Sequence, residues 1–155
     1  MPLLMPARRS VSSGVPSRRQ TIRGLPLAQS KPRFEIMPIK TKICGLKTPE
    51  TIDAAIKNGA SHIGLNFFPP SPRSISFDEA RALSGPVPGH VRRVGVFVDP
   101  ANALLEQAID AGTLDVIQLH KTAPSRVAEI RAYWGRETWS AIGIRTADDL
   151  KVAAL

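Results

Sequence analysis

The 155-residue chain is 43% hydrophobic and 22% charged, enough apolar material for one globular domain with its own core. No apolar run approaches the 18 residues of a membrane-spanning helix, and a single cysteine, Cys44, excludes an internal disulfide framework and fits a reducing, cytoplasmic setting. The net charge of +8 suggests a nucleic-acid partner, but seven bases against Glu35 alone place +6 of it in residues 1–36, leaving +2 for 37–155, so none is expected of the domain.

Residues 1–36 are rich in Arg, Ser and Pro and carry no hydrophobic periodicity. Such a segment buries too little surface to offset its ordering entropy, so it reads as a disordered basic extension. An organelle transit peptide, a basic arm, and translated upstream sequence with Met37 as the true start all fit this composition. The last is favoured: Met37 sits two residues before the first strand signal, and the early prolines spoil an amphipathic helix. Deleting 1–36 is expected to leave the domain, 37–155, intact.

From residue 39 the chain alternates. "IKTKIC" (39–44) reads as a strand, followed by a helix with Thr48 as N-cap, Pro49 at its first position, Ile52, Ala55 and Ile56 on one face, and Gly59 closing it. "HIGLNFF" (62–68) is a continuous apolar strand ended by "PPSPR", and Ser76 with Glu79 forms a capping box that opens a helix through Leu83. "RRVGVFV" (92–98) is a third strand; Asp99 and Pro100 then start a helix carrying Leu104, Leu105, Ala108 and Ile109, stopped by Gly112. "DVIQLH" (115–120) is a fourth, and Thr122 leads a helix with Val127, Ile130 and Trp134, stopped at Gly135. "TWSAIGI" (138–144) is a fifth, and Thr146 with Asp149 marks another helix start.

Strand–helix units in this order define a βαβ series, and near-continuous apolar strands suit a parallel sheet covered on both faces. No G-x-G-x-x-G follows the first strand, which weakens a dinucleotide-binding fold. The pattern leaves a (β/α)₈ barrel and a flavodoxin-like sheet both open. In either, function sits at the C-terminal ends of the strands. Cys44, Arg73, Asp99, Gln118, His120 and Arg145 all fall at that edge. Taken singly each has a plainer reading. Cys44 is a small core residue, Arg73 a solvated loop charge, His120 a satisfied strand-end histidine, Asp99 an N-cap and Arg145 a rim charge; Trp134 and Trp139 pack.

The stretches "KICGLKTPE", "GLNFFPPSPRSIS", "RRVGVFVD", "DVIQLH" and "AIGIRTADDL" together resemble the phosphoribosylanthranilate isomerase family, from about residue 39 to 155 and in the family's order. The resemblance implies a single-domain (β/α)₈ barrel of which about five βα units are present. It implies an Amadori rearrangement of N-(5-phosphoribosyl)anthranilate to 1-(o-carboxyphenylamino)-1-deoxyribulose 5-phosphate, in tryptophan biosynthesis, with no cofactor and no metal. The family's general base maps to Cys44 and its carboxylate-binding arginine, in S-P-R, to Arg73. Its polar pair near the substrate maps to Gln118 and His120. The family's acid is an aspartate ending strand six, and its phosphate loops follow strands seven and eight. Neither region lies in these units, so the sequence is expected to be C-terminally truncated and inactive by itself. The other class in play is a non-catalytic half-barrel fragment or partner-binding module. Lys121 departs from the family, which commonly has glycine after Q-L-H. The resemblance implies no nucleic-acid or membrane partner and leaves oligomeric state open.

Overall fold

The computed structural model describes residues 39–153; the extension expected over 1–36 lies outside them. The chain runs β1 (Lys42–Cys44), α1 (Pro49–Lys57), β2 (His62–Asn66), α2 (Phe77–Ser84), β3 (Arg92–Val98), α3 (Asn102–Gly112), β4 (Val116–His120), α4 (Pro124–Trp134), β5 (Glu137–Ala141), α5 (Asp149–Ala153). All neighbouring strands pair in parallel, in the order β1-β2-β3-β4-β5. A flavodoxin-like sheet reverses direction at a switch point, whereas consecutive order without reversal is an arc of a (β/α)₈ barrel.

Alternation along each strand sorts the residues between two faces. Ile63, Leu65, Phe97, Ile117 and Leu119 point outward and join Ile52, Leu83, Leu105, Val127 and Ile130 in one core between sheet and helices. Lys42, Cys44, Gly64, Val94, Val96, Gln118 and His120 alternate with them and take the other, concave face. The sheet is strongly curled. Lys42 of β1 reaches Gln118 of β4 at 2.8 Å, and the rings of His62 (β2) and Trp139 (β5) lie 5.4 Å apart. Each pair spans three strand spacings, about 14 Å in a flat sheet.

Local chemistry sets the helix starts. Thr48 caps α1 in a reciprocal box with Thr51, and Ser76 caps α2 with Glu79, as the sequence reading has them. Two other expected starts are corrected. α3 begins at Asn102 behind Ala101, and α4 at Pro124 behind Ala123, neither with a side-chain cap. Asp99 and Thr122 serve another acceptor instead: the Asp99 N–H and the Thr122 hydroxyl both donate to the His120 carbonyl, each at 3.1 Å. The two loops are thereby tied together at the end of β4.

Strand ends also differ from the hydrophobic runs. β2 stops at Asn66 because that residue turns the chain: its Oδ1 accepts from the Phe68 N–H at 2.9 Å and its carbonyl from the Ile75 N–H at 2.9 Å. β1 and β5 are shorter than their apolar stretches because, among the described residues, each has one neighbouring strand. Apart from Tyr133 on α4, the large apolar side chains exposed among the described residues fall in or next to the first and last strand–helix units: Ile39 and Ile43 at one end, Ile142, Ile144 and Leu150 at the other.

Candidate active site

The C-terminal ends of β1, β2 and β4 carry the residues singled out from sequence. Cys44, half-buried, ends β1 opposite Gly64. The chain then turns at Gly45, which has φ 78°, and the Gly45 N–H donates to the Gly64 carbonyl at 2.9 Å. A side chain at Gly45 would be strained, and its Cβ would lie 2.6 Å from Arg73 Cδ, because the Arg73 side chain lies directly over this glycine. Arg73 Nη1 donates to the Cys44 carbonyl at 3.4 Å. Further hydrogen bonds fix the loop that carries Arg73. Asn66, 7% exposed, donates from Nδ2 to Ser71 Oγ at 3.2 Å, Ser71 Oγ accepts from the Arg73 N–H at 3.2 Å, and Lys47 Nζ donates to the Pro72 carbonyl at 3.3 Å.

The second part of the site lies on the concave face. Lys42 Nζ donates to Gln118 Oε1 at 2.8 Å, and Gln118 Nε2 lies 3.1 Å from His120 Nε2. Lys42 and Cys44 meet over Gly64. A Cβ there would lie 3.0 Å from Cys44 Sγ and 3.0 Å from Lys42 Nζ, so the missing side chain is what lets thiol and ammonium share this space. Cys44, Arg73, Gln118 and His120 thus form one continuous cluster with Lys42. Arg145 does not join it: it is exposed in the segment after β5, where its N–H donates to Asp149 Oδ2 at 2.8 Å. Asp99 contributes its backbone, with φ 41°, and its side chain is exposed.

Sequence reasoning passed over Lys42 and Asn66. Period 2 was the available signal for Lys42, two residues before Cys44 and so on the same face. For Asn66 it was a lone amide closing an apolar strand, directly before the loop that carries Arg73.

Electrostatics at the cluster are one-sided. Burial, and then the Lys42 ammonium, hold the His120 imidazole below its usual titration range. Among the described residues no Asp or Glu side chain is hydrogen-bonded to Lys42, Arg73, Gln118 or His120, and no group of three or more His, Cys, Asp or Glu side chains is placed to hold a metal ion. A guanidinium and an ammonium without carboxylate partners suit an anionic small molecule, and a thiol between them is placed for proton transfer or nucleophilic attack.

A family model described as N-(5'-phosphoribosyl)anthranilate isomerase matches residues 41–152. The curated N-(5'-phosphoribosyl)anthranilate isomerase of Zymomonas mobilis subsp. pomaceae is 47% identical over 116 residues, 74% of this chain and 54% of that protein. The Rhodopseudomonas palustris enzyme of the same name is 44% identical over 115 residues, 74% of this chain and 53% of that one. The chain therefore spans about half the length of the curated relatives it matches. A crystal structure of phosphoribosyl anthranilate isomerase in complex with reduced 1-(o-carboxyphenylamino)-1-deoxyribulose 5-phosphate superimposes with a TM-score of 0.70 at 30% identity, over 75% of this chain and 59% of that one. The Thermotoga maritima enzyme superimposes with 0.68 at 31% identity, over 75% and 56% respectively. With most of its length inside the family match, and with its parallel strands in the arrangement of solved members, the chain belongs to the N-(5'-phosphoribosyl)anthranilate isomerase family.

Proposed function

We propose that the chain carries the base and the carboxylate-binding part of a phosphoribosylanthranilate isomerase acting in tryptophan biosynthesis. The observation that carries this reading is the Cys44–Arg73 corner, where the arginine lies over Gly45 and bonds the Cys44 carbonyl. The reaction is an Amadori rearrangement of N-(5-phosphoribosyl)anthranilate. An acid protonates the furanose ring oxygen and the ring opens to a Schiff base. A base then takes the proton from the sugar C2, giving the enol form of 1-(o-carboxyphenylamino)-1-deoxyribulose 5-phosphate. Cys44, as thiolate, is that base. The Arg73 guanidinium holds the anthranilate carboxylate in a two-pronged hydrogen bond, which a planar fork makes well. Gln118 and His120 line the sugar. The ring-opening acid is an aspartate outside the five strands described here, and no metal or organic cofactor takes part.

In this reading the working domain is 37–155, residues 1–36 take no part, the setting is the cytoplasm, and neither nucleic acid nor membrane is a partner. A second reading, a half barrel that binds a protein partner, is favoured by one observation: among the described residues β1 and β5 each have an unpaired edge, with Ile43 and Ile144 exposed beside them. The two are separated by joining residues 37–155 to the part of the Zymomonas mobilis relative that lies beyond the match, and expressing the product in a tryptophan auxotroph lacking the isomerase. Restored growth that disappears with Cys44→Ala supports the enzyme. A folded, soluble joined chain without isomerase activity overturns it.

A further inference from the structure

The row Lys42–Gln118–His120 has a direction fixed by its donors. An ammonium has three donors and no acceptor, so the end of the Gln118 amide that faces Lys42 Nζ at 2.8 Å is its oxygen. The amide NH₂ then faces His120 Nε2, at 3.1 Å. An NH₂ group donates and does not accept, so Nε2 must offer a lone pair. An imidazole whose Nε2 accepts carries its single proton on Nδ1 and is neutral. We propose that Lys42 is a positioning residue that, through Gln118, locks His120 as the neutral Nδ1–H tautomer and so presents a fixed N–H donor to a ligand hydroxyl or carboxylate oxygen at the strand rim.

The surroundings agree. A protonated His120 would set an Nε2–H against the amide NH₂, two donors face to face. Burial first, and the Lys42 ammonium second, disfavour that charged form. The residues paired with His120 on either side, Val98 and Ala141, are uncharged, and Lys42 is the one charged group among the described residues that acts on its titration. The His120 backbone is equally fixed, its carbonyl accepting from the Asp99 N–H and the Thr122 hydroxyl. Resting on the isomerase reading, this makes His120 a hydrogen-bond donor to the substrate and not a proton source, so the ring-opening acid must be a different group.

The test is ¹⁵N NMR of the histidine rings in the full chain, which has three histidines, with His120→Gln to identify the signals. At neutral pH the expected His120 pattern is a protonated-type Nδ1 and an unprotonated-type Nε2. Lys42→Met keeps an unbranched stem but frees the amide to turn over. It is expected to shift the pattern toward Nε2–H and to raise the titration midpoint of His120. A wild-type ring with its proton on Nε2 overturns the proposal, with no variant needed. So does a Lys42→Met protein whose His120 pattern and midpoint match the wild type. The readout uses no substrate, so an inactive joined chain with the expected tautomer overturns the isomerase reading and leaves this assignment standing.

Discussion

The concave face is polar at both ends, and the same strands build both. At the end where the strands begin, Arg92 of β3 is ion-paired to Glu137 of β5, and the Trp139 indole N–H donates to the same carboxylate at 2.7 Å. His62 sits against the Trp139 ring. At the end where the strands finish, Cys44, Arg73, Gln118 and His120 form a cluster that the Lys42 ammonium joins from the start of β1, with no carboxylate bonded among them in the described residues. Each end holds one histidine pushed below its usual range by burial, yet their charge settings differ. Arg92, Lys40 and Lys42 press His62 down while Glu137 opposes them; at His120 Lys42 acts in the same direction as burial, and no carboxylate among the described residues opposes it. One end has its counter-charge built in. In the isomerase reading the other leaves it to an anionic ligand, a contrast between a structural polar layer and a binding site that the following variants test.

The largest expected effect tests whether the unneutralised end is the reacting one. In the joined chain, Cys44→Ala should lower kcat by a factor on the order of 10²–10⁴ with little change in KM, as removal of a positioned base does. A near-normal kcat would refute the base assignment. Next comes Arg73→Ala. Losing a charge-assisted partner for the substrate carboxylate should cost about 1.5–3 kcal/mol in kcat/KM, read mainly as a higher KM. An unchanged KM would mean that the arginine serves only to tie its loop to the Cys44 carbonyl. The matching change at the other end is Glu137→Gln. Its pair with Arg92 is partly exposed, so solvent screens it, and the loss of stability should be about 0.2–1 kcal/mol by denaturant titration, with kcat/KM unaltered. A large fall in kcat/KM there would erase the distinction between the two ends.

How far the sequence carried this contrast depends on what holds each residue in place. Strands and capping boxes are local, so β3 and the starts of α1 and α2 were legible from spacing alone. Cys44, Gln118 and His120 were legible as strand-end residues because period 2 and chain order fix where a strand end falls. The starts of α3 and α4 were not: Asp99 and Thr122 are good caps by type, yet the His120 carbonyl takes the Asp99 N–H across the sheet and the Thr122 hydroxyl from two residues away. Lys42 was not legible either. Its partner Gln118 is 76 residues away, and the two meet only because the sheet curls. The choice between barrel and open sheet had the same obstacle: strand order is a property of pairing, which local periodicity does not encode.

The smallest expected effects concern backbone strain, one site at each end of the sheet. Lys121, directly after β4 at the end that carries Cys44, has φ 50°, and Thr113, two residues before Asp115 at the other end, has φ 43°. Neither residue type favours the left-handed region, and Thr is β-branched, which makes it worse there. The turn after Q-L-H therefore keeps the geometry that glycine would adopt freely, with a lysine in it. Lys121→Gly and Thr113→Gly should each relieve that strain, partly offset by the greater freedom of glycine in the unfolded chain, for a net gain of about 0.5 kcal/mol. Thr113 also accepts a long hydrogen bond from Arg93 Nη1 at 3.4 Å, which trims its gain. The two should part in function. Thr113→Gly should raise Tm and leave the joined chain's kinetics alone. Lys121→Gly should raise Tm and, by removing a cation beside His120, slightly raise KM for an anionic substrate, more at low salt than at high. A Tm that falls in both variants would show that the two positive-φ turns are held by contacts of their own side chains and not tolerated at a cost.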